Sequence, residues 1–310
     1  MTGVQTCALP IWMAWSTVAV VFSCPPVFII RSLLCFIRGS QCIVSLAVSL
    51  HYSLFTIHSA AGRLRRMSDT LTVNEIYLSL QGESTFAGLP CVFVRLTACN
   101  LRCSYCDTAY AFTEGRKLSL TDIRAQISSL ANQFNGSVGA HRLPLVELTG
   151  GEPLLQPNSV PLMKSLCDDG FTVLLETSGA LDIAPVDARV RRIMDLKCPS
   201  SGECARNRWD NLAHLRATDE IKFVIGTVED YEWAKRQINE HKLAAICPLL
   251  FSWVAPLAPH QQDKSLKPVP SGQTPLTRLE LVERIMADAL PVRFQLQMHK
   301  VIWPPEQRGV

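Results

Sequence analysis

Three cysteines lie within eight consecutive positions of this 310-residue chain, and they restrict its structure more than any other feature. The stretch from Cys99 to Cys106 reads C-N-L-R-C-S-Y-C, and Cys103 is the middle thiol. Thiols this close together cannot all reach distant disulfide partners without strain, but they can surround one soft metal centre. Cysteine thiolates are the usual ligands of iron–sulfur clusters, which normally need four ligands. The stretch therefore predicts a cluster held by three thiolates, with one iron open to another ligand.

A structural zinc site is the alternative interpretation of the same residues. Such sites usually combine two short cysteine or histidine pairs into a tetrahedron. No second pair follows this stretch, because the later cysteines are scattered at Cys167, Cys198, Cys204 and Cys247. The spacing favours the iron–sulfur cluster over zinc.

The composition suits a globular protein of a reducing compartment. The chain is 48% hydrophobic and carries a net charge of +3, which suffices for one large domain or two small ones. The mild charge, and the lack of a basic stripe with interleaved aromatics, give no basis for a nucleic-acid partner. Twelve cysteines would suggest a secreted disulfide scaffold only in a short chain with regular spacings. We therefore expect a cytoplasmic protein.

Residues 1–66 differ from the rest of the chain. Their apolar runs, such as 18–22 and 27–30, are interrupted before reaching the roughly 20 residues that a membrane span needs. The opening M-T-G-V-Q-T-C-A-L-P-I has no basic residue, unlike a signal peptide. It resembles a translated sequencing-adapter read. We expect 1–66 to be an artefactual or non-core extension and Met67 to be the true start, with a membrane anchor or an ordered segment as alternatives.

Strand-like and helix-like segments alternate after Met67. The strands are predicted at 73–80, 91–97, 143–148, 171–176, 191–196, 220–225, 244–251 and 292–298. Helices are predicted after the capping residue Ser119 and at 158–168, 207–215, 228–241 and 277–289. This alternation indicates an α/β fold with a mainly parallel sheet and right-handed crossovers. Seven or eight strands at this length favour a partial barrel over a closed one.

A proline-rich stretch at 253–275 interrupts the alternation. It contains five prolines and few apolar residues, so we expect a loop or a mobile insert. The helix that follows is predicted to bury Leu279, Val282, Ile285 and Met286.

A second motif, T-G-G-E-P at 149–153, follows a predicted buried strand. Adjacent glycines let a ligand approach the backbone closely. Together with the upstream cysteines, it resembles the radical S-adenosylmethionine (SAM) superfamily, in which the G-G-E-P motif holds the SAM amino group. There the open iron binds SAM, and an electron from the cluster cleaves it to a 5′-deoxyadenosyl radical.

Further motifs narrow the resemblance to one family within that superfamily. They are L-Q-G-E at 80–83, F-V-R-L at 93–96, C-D-T at 106–108, D-L-K at 195–197 and Q-M-H-K at 297–300. Together they resemble the 7-carboxy-7-deazaguanine synthase family of queuosine biosynthesis, over residues 67–252 and 277–310. The resemblance implies an open radical SAM β/α barrel spanning 67–310, with 253–275 as an insert.

The resemblance also implies a reaction and its participants. The family converts 6-carboxy-5,6,7,8-tetrahydropterin to 7-carboxy-7-deazaguanine with loss of ammonia, using a [4Fe–4S] cluster, SAM and Mg²⁺. It implies a small-molecule pterin substrate, a reductant such as flavodoxin and a homodimer, with no nucleic acid and no membrane.

The same resemblance assigns roles to individual residues. Cys99, Cys103 and Cys106 match the cluster ligands, and Thr108 matches the hydroxyl that binds Mg²⁺. The positions that match SAM contacts are Tyr105, Asp107, Gly151, Asp195, Leu196 and Lys197. The positions that match the pterin site are Leu80, Gln81, Gly82, Arg95 and Thr149. From its chemistry alone, Arg95 suits a substrate carboxylate, or else it pairs with a carboxylate of its own chain.

Two features depart from the family pattern. Ser84 stands where Q-G-E-G has its second glycine, and the insert after Phe251 and Ser252 puts in doubt the SAM contacts near 251–254. Two other functions stay open. A glycyl-radical activase shares the cysteine spacing, although C-D-T argues against it, and a non-catalytic metal-binding module is the bland alternative.

Overall fold

The computed structural model describes residues 36–38, 41–43, 69–134, 144–304 and 307–310. The chain divides into two units, Met1–Leu64 and Arg65–Val310. In the first unit, strand β1 (Phe36–Arg38) pairs antiparallel with β2 (Gln41–Ile43). Apart from these strands, the predictions for residues 1–66 lie outside the described residues.

A nine-stranded open sheet organises the second unit. Its strands are β3 (Thr70–Leu80), β4 (Pro90–Leu96), β5 (Arg116–Ser119), β6 (Leu145–Gly150), β7 (Thr172–Thr177), β8 (Arg191–Asp195), β9 (Glu220–Ile225), β10 (Leu249–Trp253) and β11 (Arg293–Gln295). The order is β11-β10-β9-β8-β7-β6-β4-β3-β5. Strand β3 is antiparallel to β4 and β5, and the other pairs are parallel. The predicted α/β fold with a mainly parallel, unclosed sheet is confirmed.

Five α-helices accompany the sheet in the described part of the chain, and local chemistry explains some of their ends. They are α1 (Leu120–Ala131), α2 (Ser159–Asp168), α3 (Val228–Glu240), α4 (Arg278–Ala287) and α5 (His299–Ile302). The Ser119 side chain caps α1 by accepting the backbone N–H of Asp122. Helix α2 ends just before Gly170, whose φ of +82° suits glycine. None of the helices in the described ranges is long and apolar enough to cross a membrane.

Alternation along the strands separates a helix-covered face from an inner face. On β4, Val92, Val94 and Leu96 belong to the main hydrophobic core together with α1 and α2. Their neighbour Phe93 belongs to a small separate cluster on the other face, and Arg95 lines a cavity there. Successive strand residues point to opposite faces, so this pattern places every second residue of the central strands on the inner face.

Helix α4 does not bury the predicted face. Leu279 is 64% exposed and Met286 is 75% exposed, whereas Leu281 is fully buried. Leu281 and Ile285, one helical turn apart, pack into the core beneath α3 and α4. The prediction was right for Ile285 and wrong for Leu279 and Met286, because the helix docks through the stripe that contains Leu281 and Ile285.

The proline-rich insert leaves the sheet without disturbing it. Strand β10 pairs with β9 through its last residue, Trp253, which lies opposite Ile225. The Trp253 indole N–H donates to the Leu276 carbonyl at 2.8 Å, which ties together the two ends of the insert. Phe251 and Ser252 are fully buried in the sheet. The insert therefore begins beyond the strand and leaves 251–253 in register. The predicted strand at 244–251 itself starts only at Leu249.

Candidate active site

A cavity of about 220 Å³ lies on the inner face of the sheet, toward the carboxyl ends of the parallel strands. Open α/β sheets place their ligands at this edge. The predicted site residues that line it are Leu80, Gln81, Gly82, Arg95, Cys99, Cys103, Tyr105, Cys106, Asp107, Thr108, Thr149, Gly151, Asp195 and Lys197. The fold thus gathers residues from five separate sequence motifs into one place.

Leu196 is the predicted site residue that does not line the cavity. Its side chain is 1% exposed and packs in the core beneath α3, whereas the side chains of Asp195 and Lys197 line the cavity. The pleat at the end of β8 turns it toward the opposite face. Only the main chain of Leu196 is left for a ligand contact.

The cysteine loop follows β4 and is held from outside by a turn after β8. The Ser104 backbone N–H donates to the Ser201 carbonyl at 3.1 Å, and the Ser104 hydroxyl donates to the Ser200 carbonyl at 2.7 Å. Burial raises the pKa of all three thiols, that of Cys106 to about 11. Each thiol is close enough to interact electrostatically with another of the three.

The spacing of the thiols suits a cluster better than a single ion. No group of three or more His, Cys, Asp or Glu side chains within the described parts of the chain is arranged to hold one metal ion. A cubane cluster is bound at separate iron atoms, so its thiolates must face one cavity without converging on one point. Cys99, Cys103 and Cys106 meet that requirement.

Gly151 lets the T-G-G-E-P turn approach the cysteine loop. A Cβ atom at this position would lie 2.0 Å from the Ala98 carbonyl oxygen and 3.0 Å from the Cys99 Cβ atom. The Gly151 backbone N–H donates to the Leu96 carbonyl at 3.1 Å. The two motifs are in contact because this residue has no side chain.

Gly151→Ala is expected to displace the cysteine loop and to lower iron uptake at least several-fold, because backbone must move to relieve the overlap. Iron and sulfide bound after anaerobic reconstitution measure the effect. The control is Gly272→Ala, where a Cβ meets nothing within 4 Å although the φ of +78° adds strain. Equal iron contents in the two variants would remove Gly151 from this role.

Glu152 anchors the same turn to the end of β7. Its carboxylate is fully buried and accepts the Ser178 backbone N–H at 2.7 Å, the Ser178 hydroxyl at 2.5 Å and the Thr177 hydroxyl at 2.9 Å. It also accepts the Leu154 backbone N–H at 3.0 Å. A carboxylate with this many donors holds Thr177 and Ser178 rigidly at the cavity wall.

Two buried polar atoms at the cavity wall have no hydrogen-bond partner in the described part of the structure. They are the Tyr105 hydroxyl and Oδ1 of Asp195. Oδ1 of Asp195 lies 3.7 Å from the Lys222 ammonium, and the other oxygen of Asp195 accepts from the Lys197 ammonium at 2.5 Å. Buried polar groups are normally hydrogen-bonded, so the Tyr105 hydroxyl marks a position where a polar ligand fits.

The cavity contains a charged group that the sequence analysis missed. The Lys222 ammonium is buried and contacts two carboxylates, that of Glu83 at 3.2 Å and that of Glu176. A third carboxylate in the cavity, that of Glu147, accepts a hydrogen bond from the Gln81 amide. Burial and the neighbouring Glu176 raise the pKa of Glu147 well above its usual range. For Glu176, burial is outweighed by Lys222, and its pKa is lowered.

The sequence contains a pattern that could have identified these cavity residues. Glu147, Glu176 and Lys222 each interrupt a strand of apolar residues. Because each of these charged residues lies on the inner face of its strand, all three line the same cavity. Paired carboxyls with pKa values pushed apart are suited to proton transfer.

Arg95 makes one of its two predicted interactions, the pair with a carboxylate of its own chain. Its Nε atom donates to the Glu75 carboxylate at 2.7 Å, and its terminal nitrogen donates to the Tyr77 hydroxyl at 2.8 Å. Arg95 nevertheless lines the cavity, so an anionic ligand can approach the rest of its guanidinium.

The residues after the last cysteine also face the cavity. The Asp107 carboxylate contacts the Lys300 ammonium at 2.6 Å, which joins the cysteine loop to α5. The Thr108 hydroxyl lies 3.8 Å from the Cys106 sulfur.

Ser84, where the family pattern has glycine, has a φ of +64° and is buried. This backbone conformation explains why glycine suits that position.

Comparisons with known proteins agree with this geometry. A model of the radical SAM superfamily matches residues 94–200. The chain is 43% identical over 242 residues to a 7-carboxy-7-deazaguanine synthase from Koribacter versatilis, covering 77% of this chain and 100% of that protein. It is 41% identical over 243 residues to one from Chlorobaculum tepidum, covering 77% and 97%.

A solved structure shows the same fold. The crystal structure of QueE from Escherichia coli matches with a TM-score of 0.51, covering 74% of this chain and 94% of that one. At 22% identity, this likeness bears on the fold alone. The full-length similarity to the curated relatives carries the assignment, and the chain belongs to the 7-carboxy-7-deazaguanine synthase family of the radical SAM superfamily.

Proposed function

We propose that this protein converts 6-carboxy-5,6,7,8-tetrahydropterin to 7-carboxy-7-deazaguanine, with loss of ammonia, in queuosine biosynthesis. One observation carries the proposal: the three thiols, the T-G-G-E-P turn and the inner-face residues of β4 and β6–β9 line a single cavity. The relatives that are similar along their whole length are named for the product of this reaction.

Cys99, Cys103 and Cys106 would hold a [4Fe–4S] cluster, which the radical SAM family implies together with SAM. When bound, the cluster and SAM supply the 5′-deoxyadenosyl radical that begins the reaction. The protein's own part is to bind and orient SAM. Gly151 and Asp195 line the cavity, and the Tyr105 hydroxyl, which has no hydrogen-bond partner in the described residues, offers a polar contact.

The pterin would lie against Leu80, Gln81, Gly82, Arg95 and Thr149. The free side of the Arg95 guanidinium suits the substrate carboxylate. The Thr149 hydroxyl donates to Glu176 at 3.1 Å, which links this wall of the cavity to the Lys222 group. The orientation of the pterin is thus assigned to residues of the adjacent strands β3, β4 and β6 and of the turn after β3.

The direct test is turnover by the full chain. The protein is reconstituted anaerobically with iron and sulfide and incubated with SAM, a reductant and the pterin, and the deazapurine is measured. About four iron and four sulfide per chain with product formation support the proposal. SAM cleavage without pterin turnover would favour a glycyl-radical activase, and bound zinc without visible absorption would favour a non-catalytic module.

Thr108 would contribute a ligand to Mg²⁺, a hard cation that prefers oxygen donors and keeps several waters. Thr108→Val nearly keeps the shape and removes the oxygen. We expect iron content and SAM cleavage to survive, while product formation falls several-fold and its stimulation by added Mg²⁺ shrinks. Product measured against Mg²⁺ concentration, in the variant and the parent, checks this.

Thr108→Ser is the matched control, because it keeps the hydroxyl and loses a methyl group. It should retain the Mg²⁺ response. An unchanged Mg²⁺ response in Thr108→Val would assign the residue to a turn after the cysteine loop instead.

The remaining assignments are part of the same proposal. Residues 67–310 would form the catalytic domain, because every described residue that lines the cavity follows Met67. A cytoplasmic homodimer that receives electrons from a reductant such as flavodoxin, without nucleic acid or membrane as partners, suits the family. The proline-rich insert at 253–275 is retained within that domain.

A further inference from the structure

The proline-rich insert contacts the cysteine loop through Lys267. The Lys267 backbone N–H donates to the carbonyl of Arg102 at 2.9 Å. Arg102 lies between the first two thiols, Cys99 and Cys103. The Lys267 ammonium donates to the Gly202 carbonyl at 2.8 Å, at the turn that follows β8. The insert is therefore bound to the outer side of the predicted cluster loop.

Glu203 forms a second link between the cysteine loop and the insert. Its side chain is 4% exposed, and its two oxygens have different partners. Oε1 accepts the backbone N–H of Arg102 at 2.7 Å, and Oε2 contacts the Lys267 ammonium at 2.9 Å. One buried carboxylate thus joins the cysteine loop to the insert. Charge-assisted hydrogen bonds of this kind are stronger than neutral ones.

The Arg102 side chain is held as firmly as its backbone. Its guanidinium donates to the carbonyl of Cys99 at 2.8 Å and to that of Leu101 at 2.7 Å. It also lies 4.1 Å from the centre of the Phe112 ring, in cation–π geometry. Because both backbone polar groups of Arg102 bind the Lys267–Glu203 pair, movement of that pair would move the segment between two thiols.

We propose that Lys267 and Glu203 are positioning residues that clamp the cysteine loop and thereby slow the loss of its cluster. The inference rests on the proposed function in one respect, because it assumes that the loop holds a cluster. The clamp itself consists of the contacts that Lys267 and Glu203 make with Arg102 and with each other. It gives the insert, which departs from the family pattern, a role in holding the catalytic loop.

The first experiment tests the clamp in protein without the cluster. Hydrogen exchange is measured over residues 99–106 in the full chain before reconstitution, for Lys267→Ala, Glu203→Gln and the double variant. We expect exchange there to quicken about fivefold in each single variant, with the thermal midpoint unchanged. The double variant should be no faster than Lys267→Ala, because both substitutions break the Lys267–Glu203 ion pair.

The second arm measures iron release. After anaerobic reconstitution, the protein is mixed with a chelator, and the decay of the visible absorption of the cluster is followed. Release should be about fivefold faster in Lys267→Ala and Glu203→Gln. The matched control is Lys264→Ala, an exposed lysine of the same insert for which the described residues provide no polar partner. It should behave as the parent.

Unchanged exchange over 99–106 in both single variants would overturn the clamp. Faster exchange with parental iron release would overturn its role in cluster retention. A parent protein that takes up neither iron nor sulfide would overturn the proposed function instead, and the exchange arm would still decide whether the clamp exists.

Discussion

Cys103→Ala is expected to reduce product formation to background and to remove most of the iron from the reconstituted protein. Cys103 is the middle thiol of the loop in sequence, is 8% exposed and lines the cavity. Two thiolates cannot hold a cubane firmly when the cluster normally needs four ligands. Iron and sulfide analysis, with 5′-deoxyadenosine and deazapurine measured in the same samples, checks both expectations.

The matched control is Cys167→Ala. Cys167 lies on α2, packs against the main core and does not line the cavity. Its loss should leave iron content and product near parental values. Full iron content together with undiminished SAM cleavage in Cys103→Ala would contradict the assignment of the cysteine loop.

Asp219→Ala is expected to lower the free energy of unfolding by about 3–5 kcal/mol, the usual effect of breaking a buried ion pair. Its fully buried carboxylate contacts the guanidinium of Arg192 at 3.2 Å, and the Arg192 side chain is 5% exposed. The carboxylate also accepts the backbone N–H groups of Arg192 at 3.1 Å and Arg216 at 2.9 Å. Removing it leaves a buried, uncompensated cation between β8 and β9. Urea unfolding measures the change.

Asp187→Ala is the comparison for that measurement. Asp187 contacts Arg189 at 2.8 Å, but the Arg189 side chain is 49% exposed. Exposed ion pairs contribute little, so the midpoint should hardly move. Equal losses in the two variants would show that burial does not set the strength of the Asp219 interaction.

The sequence determined those features whose causes act over a few residues. The spacing of Cys99, Cys103 and Cys106 indicated a three-thiol site, and the structure brings all three to one cavity. Strand–helix alternation predicted an open, mainly parallel sheet, and Ser119 marked the start of α1 because a side-chain cap binds the next turn. The resemblance of the motifs supplied the family, which the comparisons confirm.

The tertiary structure decided which distant residues meet and which helix face is buried. Glu147, Glu176 and Lys222 come from three strands, and only the order and register of the sheet place them together. Helix α4 carries apolar residues on two stripes, and docking against the core selected the one with Leu281. Lys267 lies in a stretch without regular structure, so its contact with the cysteine loop had no local pattern to indicate it. Caps, turns and thiol spacings depend on neighbours in sequence, whereas the pairing of strands and the docking of helices and loops depend on partners far along the chain.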